Sequence, residues 1–548
     1  MADVVIIGSG INGMVGAAVL ARAGRDVVVL EREDRLGGAV NTQDDHPAPG
    51  WTTDVFSCWH PLFVAGPAYA ELGDELTRRG VVYRNTDVPA GAALPDGSTA
   101  LLTTDVERTA ADWNALHPGD GDALRRELER FGPKADIGFE ALGTELWSVA
   151  GGGRLGARTA AKLGFGGTVE LSAEALEPGR AWLGRTFGGR APGAVLAPWL
   201  NHNGMGPDDA ASGFVLKLLM ASLVQGGCPV PEGGGRVVIE ALAGIVRDAG
   251  GQVRTGADVT RVAVRDGRAT GVELAGGEQV PAVQAVLACV TPQALYLGLL
   301  DDDVALPDGL RPAARDYRYG RGDAQVHLAL SEPPRWTSGD ERLDRVAIVH
   351  VTGGTDAVSA SVNATGRNVL SARPTVAAGQ PAALDPTRVP EGKGALWLQM
   401  QEVPYRPEAD EAGEIDVGDG TWTHDLKERF ADRVLSLLRP HVENLDSALV
   451  ARSVWSPADL EAANVNLVRG DPYGGACQLD QFLLWRPVPQ VRGHRTPVDG
   501  LWHIGASTHP GPGLSGASGL LAAQEVLRPA PLKRLVSLLP GRSRSVSR

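Results

Sequence analysis

The stretch Val4-Val5-Ile6-Ile7-Gly8-Ser9-Gly10-Ile11-Asn12-Gly13, followed without a break by the alanine-rich residues 14–23, decides the fold. A short β-branched run ends in a glycine turn that opens directly into a helical stretch. Gly8 permits the tight turn, Gly10 lets backbone amides approach a pyrophosphate, and Gly13 lets the helix lie close to the strand. Phosphates then sit at the positive end of the helix, with Asn12 in the same turn. A second apolar run, residues 27–30, ends at Glu31-Arg32. A carboxylate at that strand tip suits two unmodified ribose hydroxyls and repels a 2′-phosphate, so FAD or NAD is favoured over NADP.

Arg35-Leu36-Gly37-Gly38 places a glycine pair just beyond the acid, where the backbone must run close to a second part of the cofactor, the mark of a flavoprotein. Near the other end, residues 500–516 repeat the order of strand, glycine loop and helix, with Gly505, Gly513 and Leu514 in the loop. Residues 514–526 read as a helix whose N-terminus faces the flavin's N1 and C2 carbonyl. Gly151-Gly152-Gly153-Arg154-Leu155-Gly156 also fits GxGxxG, but a helical stretch precedes it and no β-branched strand feeds it, so a second nucleotide site is not expected there.

These blocks resemble the phytoene desaturase type of FAD-dependent oxidoreductase. That family includes carotenoid desaturases, retinol saturases and a group named for a pyridine nucleotide-disulfide oxidoreductase domain, which the chain resembles most. Further matching blocks are Pro231-Glu232-Gly233-Gly234-Gly235-Arg236, residues 456–461 and residues 471–475, and Val259 stands where the family lays a strand against the adenine. The resemblance implies an α/β fold in which a Rossmann-like FAD-binding domain carries an inserted α+β substrate domain, the flavin amine oxidase/phytoene desaturase-like architecture.

Composition agrees with a globular enzyme. A chain of 548 residues, 43% hydrophobic, can bury the cores of two or more domains. Its formal charge of -14 argues against a nucleic-acid partner, which needs a positive surface. Cys58, Cys228, Cys289 and Cys477 form no CxxC pair, so neither a redox dithiol nor a metal site is expected. No secretory leader precedes the first strand, and Lys217 breaks the longest apolar run, which reads as cytoplasmic.

Residues 1–75, 225–300 and 495–527 are expected to form the FAD-binding domain, and 76–224 and 301–494 the substrate domain. In the latter, residues 325–330, 347–351 and 395–401 read as strands. Leu396, Leu398 and Met400 share the core face; Trp397, Gln399 and Gln401 are expected to face solvent, with a substrate-facing sheet as the alternative. Residues 380–393 and 406–420 read as mobile loops. The tail, 528–548, holds six basic residues and no acid interleaved with leucines. It reads either as a peripheral contact with an anionic membrane or as a disordered basic tail.

Because a flavin carries the redox chemistry, the protein supplies orientation and a proton handler. His60 and His202 are the catalytic candidates, since imidazole suits proton transfer at neutral pH. His509 is read as part of the flavin cradle. Tyr473, Gln481 and Arg486 are candidates for lining the substrate pocket, or else for a packed strand. Three functions stay open. The first is hydride removal from an apolar or conjugated small molecule, with electrons passed to oxygen or a quinone. The others are an oxidase or dehydrogenase of a smaller polar or aromatic metabolite, and a binding protein stabilised by FAD.

Overall fold

The computed structural model describes residues 1–528, so the expectation for the basic tail lies, beyond Arg528, outside the described residues. The strands Ala2–Ile7, Val27–Leu30 and Gln252–Arg254 lie side by side in parallel, with Ile7 opposite Leu30 and Leu30 opposite Arg254. On its other flank Ala2–Ile7 pairs in parallel with the end of the long strand Gln279–Cys289, which also pairs with Leu501–Ile504. The beginning of Gln279–Cys289 turns antiparallel, against Arg268–Leu274, and Val259–Arg265 completes the sheet through the Asp266-Gly267 turn. Both turn residues have positive φ, as a tight hairpin requires.

Alternation along the first strand buries both faces. Val4 and Ile6 meet the helices Ile11–Arg22, Arg236–Asp248 and Ala517–Leu527, while Val5 and Ile7 meet the layer that holds Tyr296 and Leu310. A strand covered on both sides reads as an unbroken apolar run. The parallel strands end together, so Gly8, Glu31, Cys289 and Gly505 converge on one edge, where open α/β sheets bind ligands. The final helix differs from the expectation: it begins at Ala517, not Leu514. Gly513, Leu514 and Gly516 all have positive φ, which holds this stretch as a loop up to the helix N-cap at Gly516.

A second sheet runs in the order Leu449–Trp455, Gly322–Leu330, Gly394–Val403, Val376–Gly379, Ile348–Val351, Ala90–Ala93 and Thr99–Leu102. One face packs Val326, Leu328, Leu396, Leu398 and Met400 against Leu426, Phe430 and Val434 of the helix His424–Leu438. The opposite face of Gly394–Val403, expected at the surface, is also buried: Trp397, Gln399 and Gln401 are 4%, 6% and 5% exposed. The two segments expected to be mobile loops are tethered by ion pairs. Asp410, in a two-residue strand beside Val369–Leu370, pairs with Arg433.

In the other segment, Arg388 is fully buried and donates to Asp54 Oδ2 at 2.7 Å, Asp385 Oδ2 at 3.0 Å and the Pro231 carbonyl at 2.8 Å. Asp54 in turn accepts from Gly235 N at 2.9 Å, and Asp385 from Gly233 N at 2.8 Å. This cluster staples the glycine-rich turn after Pro231 to both the Thr52–Asp54 strand and the 380s segment. Burial alone would raise the Asp54 carboxyl, but the Arg388 charge and the Thr42 and Gly235 donors overcome it and hold the group below its usual range. The stability this contributes is present above the unfolded-state value of about 3.9 and is lost as pH falls through the folded value. Arg388→Ala leaves two carboxylates buried without their partner and should cost about 3–5 kcal/mol, measured by denaturant unfolding at pH 7.

Candidate active site

A cavity of ≈ 1010 Å³ runs from the converging strand ends of the first sheet to the buried polar face of the second. Gly8, Gly10, Asn12, Glu31, Arg32, Gly38, Val259, Gly505, Gly513 and Leu514 all line it, as expected for the cofactor end. Gly13 and Gly37 do not, and their role is in packing. A Cβ at Gly13 would stand 2.3 Å from the Gly8 carbonyl oxygen, and one at Gly37 would stand 2.2 Å from that of Val40. At Gly10 a Cβ would meet nothing nearer than Cys289 Sγ at 3.8 Å. Neighbouring protein therefore does not demand glycine there; the room above Gly10 belongs to the cavity and fits a pyrophosphate over the helix start.

Ser9, which carries no motif signal of its own beyond its place between two glycines, ties this end together. Its N–H and hydroxyl donate to Glu31 Oε2 at 2.9 and 2.6 Å, and the same hydroxyl accepts from Gly37 N at 3.0 Å. Glu31 Oε1 accepts from Glu33 N at 3.1 Å. One carboxylate thus fixes the first glycine turn relative to the glycine pair, in addition to the ribose role expected of it.

At the far end the sheet presents Asp323, Gln325, Trp397, Gln399 and Gln401, facing Trp59, Trp199, His202 and Tyr473. Register places Gln399 opposite Gln325 and Trp397 opposite His327. Asp323 is 1% exposed; its Oδ2 accepts from Gln399 Nε2 at 2.7 Å and Gln325 Nε2 at 3.1 Å, and Oδ1 has no partner. Burial among neutral amides pushes its carboxyl up to about 8. No sequence motif marks this acid, but a carboxylate on the otherwise uncharged strand Gly322–Leu330 is a usable signal.

The histidine candidates separate. His202 lines the cavity, 3.0 Å Nε2 to Nε2 from His350 and stacked on Trp199 with ring centroids 4.8 Å apart; burial pushes its imidazole down to about 3, so it is neutral at pH 7. His60 is not a cavity residue. It is packed beneath, with Nδ1 3.1 Å from the Tyr83 hydroxyl, and burial holds it down to about 4. His509 is likewise set back, its Nε2 on the Ala141 carbonyl at 3.0 Å.

Tyr473 is the pocket candidate that lines the cavity, its hydroxyl on the Asn201 carbonyl. Gln481 and Arg486 are structural instead. Gln481 pairs with the Arg318 backbone, and Arg486 is fully buried, donating to the carbonyls of Tyr473 at 2.6 Å and Ala506 at 2.9 Å. It clamps the Tyr473 segment onto the Gly505 loop.

The pattern of the flavin-containing amine oxidoreductases matches residues 11–527. The chain belongs to that family, and it is an FAD-dependent oxidoreductase. It is 28% identical to the rat (Rattus norvegicus) pyridine nucleotide-disulfide oxidoreductase domain-containing protein 2, over 96% of this chain and 93% of the relative. That is the group the sequence resembled most. It is 25% identical to a polypeptide of the limonene dehydrogenase of Castellaniella defragrans, over 96% of this chain and 94% of the relative. A crystal structure of an oxidoreductase from Methanosarcina mazei shares the fold, with a TM-score of 0.61 at 15% identity, over 95% of this chain and 99% of that one.

Glu31→Ala removes the acceptor of the Ser9 N–H, the Ser9 hydroxyl and the Glu33 N–H. With about 1.5–3 kcal/mol for a hydrogen bond to a charged group, FAD affinity should fall by roughly one to two orders of magnitude in equilibrium dialysis.

Proposed function

We propose that this enzyme removes hydride from a C–H bond of an uncharged, apolar or conjugated organic substrate and passes the electrons to oxygen or a quinone. One observation carries the reading: the sheet end of the cavity is built from indoles and amides, and its titratable groups, Asp323 and His202, are neutral near pH 7. The charged side chains, among residues 31–35 and at Asp258, stand at the cofactor end. No fixed charge is thereby offered to an ammonium or carboxylate on the reacting part of the substrate. The relative named for limonene, a hydrocarbon, supports the same class.

When bound, FAD supplies the hydride acceptor. The glycine turns of residues 8–13, Glu31 with Ser9, the Gly38 backbone and the residues 511–514 loop would hold it. The chain's own work is to exclude water, stack the substrate between Trp59, Trp199 and Trp397, and take up the proton from the neighbouring carbon. Asp323 is suited to that last step, because a carboxyl near 8 is a far stronger base when ionised than an ordinary one. One dinucleotide cradle is formed by the first sheet, and the second GxGxxG stretch lies in helical turns, which supports a diffusible electron acceptor rather than NAD(P)H. Gln325, a cavity-lining residue whose buried Oε1 has no hydrogen-bond partner, favours a second reading: a smaller aromatic metabolite bearing one hydrogen-bonding group.

The test is anaerobic stopped-flow loss of flavin absorbance against a panel of polyenes, terpenes, amines and phenolic metabolites. Uncharged members should bleach the flavin and oxygen should restore it. The bleaching rate should rise with pH and level off above about 8, as Asp323 becomes a carboxylate. Asp323→Asn should lower it by about 10²–10⁴-fold and flatten that profile. Rapid bleaching by micromolar NADH or NADPH, or an unaltered profile in the variant, would reject the reading.

A further inference from the structure

A second cavity of ≈ 500 Å³ lies beside the first, and Tyr319 lines both. Its walls carry three arginines, Arg321, Arg367 and Arg469. In a chain of net charge -14, guanidinium groups readily find carboxylates, as Arg433 does with Asp410 and Arg452 with Glu428. Among the described residues these three form no such pair. Arg321 donates through Nη2 to the Met205 carbonyl at 3.0 Å, and its buried Nε has no partner. Arg367 Nε reaches the Asn363 carbonyl at 3.4 Å. Arg469, at φ 59°, uses its backbone N–H on Glu461 Oε1 at 2.9 Å, and its exposed side chain belongs to the cavity rim.

The carboxylates nearby are already engaged. Asp209 Oδ2 accepts from Gly206 N at 2.7 Å and Gln478 Nε2 at 3.3 Å. Glu402, the buried acid that feels the Arg321 charge, accepts from Thr375 N at 2.7 Å and Asn201 Nδ2 at 3.0 Å. Three guanidinium groups thus border one cavity, Arg321 partly buried and Arg367 and Arg469 exposed, and none of them forms an ion pair among the described residues, although the Glu461 carboxylate stands beside the Arg469 backbone.

We propose that this cavity binds an oxyanion, the carboxylate or phosphate of a small molecule. The arginine forks match either group, and the positive pocket would draw an anion towards the cavity system of an otherwise acidic surface. The proposal does not depend on the identity of the oxidised substrate. Where the anion is one end of a longer molecule, Tyr319 is the wall its organic part would pass to enter the first cavity.

Calorimetric titration of the FAD-loaded enzyme at constant ionic strength tests this, with inorganic phosphate in one arm and straight-chain carboxylates from butyrate to decanoate in the other. Saturable binding is expected. The double variant Arg367→Gln, Arg469→Gln should weaken it by about tenfold or more, while Arg265→Gln, on the distant hairpin, should not. Affinity that climbs with chain length, together with a shifted flavin absorption band, would assign the site to the anionic end of a molecule reaching past Tyr319. Equal binding of phosphate and every carboxylate, with no spectral change, would assign it to a free anion. No saturable binding of either probe, or undiminished binding in a double variant that retains FAD, would overturn the proposal.

Discussion

Two helices from opposite ends of the chain touch through their backbones, and the cofactor end of the enzyme depends on that contact. Ile11–Arg22 and Ala517–Leu527 approach so closely that a Cβ at Gly519 would lie 1.8 Å from the Asn12 carbonyl oxygen, and one at Gly16 would lie 3.3 Å from that of Gly519. A Cβ at Gly516 would press on Val15 at 2.8 Å. No side chain fits at such a crossing, so glycine is dictated by sterics rather than by turn geometry alone. The contact sets the first glycine turn beside the Gly505 loop. The chain between residues 31 and 500 therefore leaves this edge and returns to it, adding the first-sheet strands of residues 252–289 and building the second sheet from the stretches on either side.

Burial acts in two opposite ways on the charges of this protein, and the presence of a partner decides which. Asp54 is as deeply buried as Asp323, yet Arg388 keeps the first ionised while amides alone leave the second protonated near neutral pH. A low-dielectric site penalises charge in both cases; only a compensating charge at close range reverses the sign. The paired groups tether segments: Arg388 holds the 380s, Arg433 the 410s. The groups without a charged partner, Asp323 and His202, stand at the sheet end of the cavity, where a neutral group able to gain or lose a proton is chemically useful.

The part built around the first sheet is largely legible because its turns are written in backbone requirements. Positive φ at Gly8, closeness at Gly13 and a buried carboxylate at Glu31 each leave a residue-type signature at fixed spacing. The start of the last helix was misplaced by three residues because Leu514 is a helix former held at φ 56°, a tertiary constraint that intrinsic preference does not reveal. The part built around the second sheet is less legible. Arg388 sits in a stretch rich in proline and charge that reads as a loop, and its partners Asp54 and Asp385 lie at unrelated spacings. The residue types of His60 and Arg486 suit a proton handler and a pocket wall, but residue type alone does not aim a side chain at the cavity. Asp323 carried no motif because its chemistry comes from what surrounds it.

The polarity of the cavity wall and the packing of the core are set by a single register. Along Gly394–Val403, Leu396, Leu398 and Met400 face the helix His424–Leu438, which forces Trp397, Gln399 and Gln401 towards the cavity. The neighbouring strand obeys the same alternation, with Val326 and Leu328 in the core and Asp323 and Gln325 at the site. A slip of one residue would exchange the two sets, placing amides and an acid in the apolar layer and leucines over the cavity. The apolar face therefore fixes where the amides stand with no contribution from the substrate. Alternate residues of these strands can be exchanged without disturbing the layer beneath, so long as each replacement tolerates burial. That constraint accounts for glutamine, an uncharged hydrogen-bonding residue, recurring at 325, 399 and 401, where a glutamate beside Asp323 would need a positively charged partner that this face does not provide.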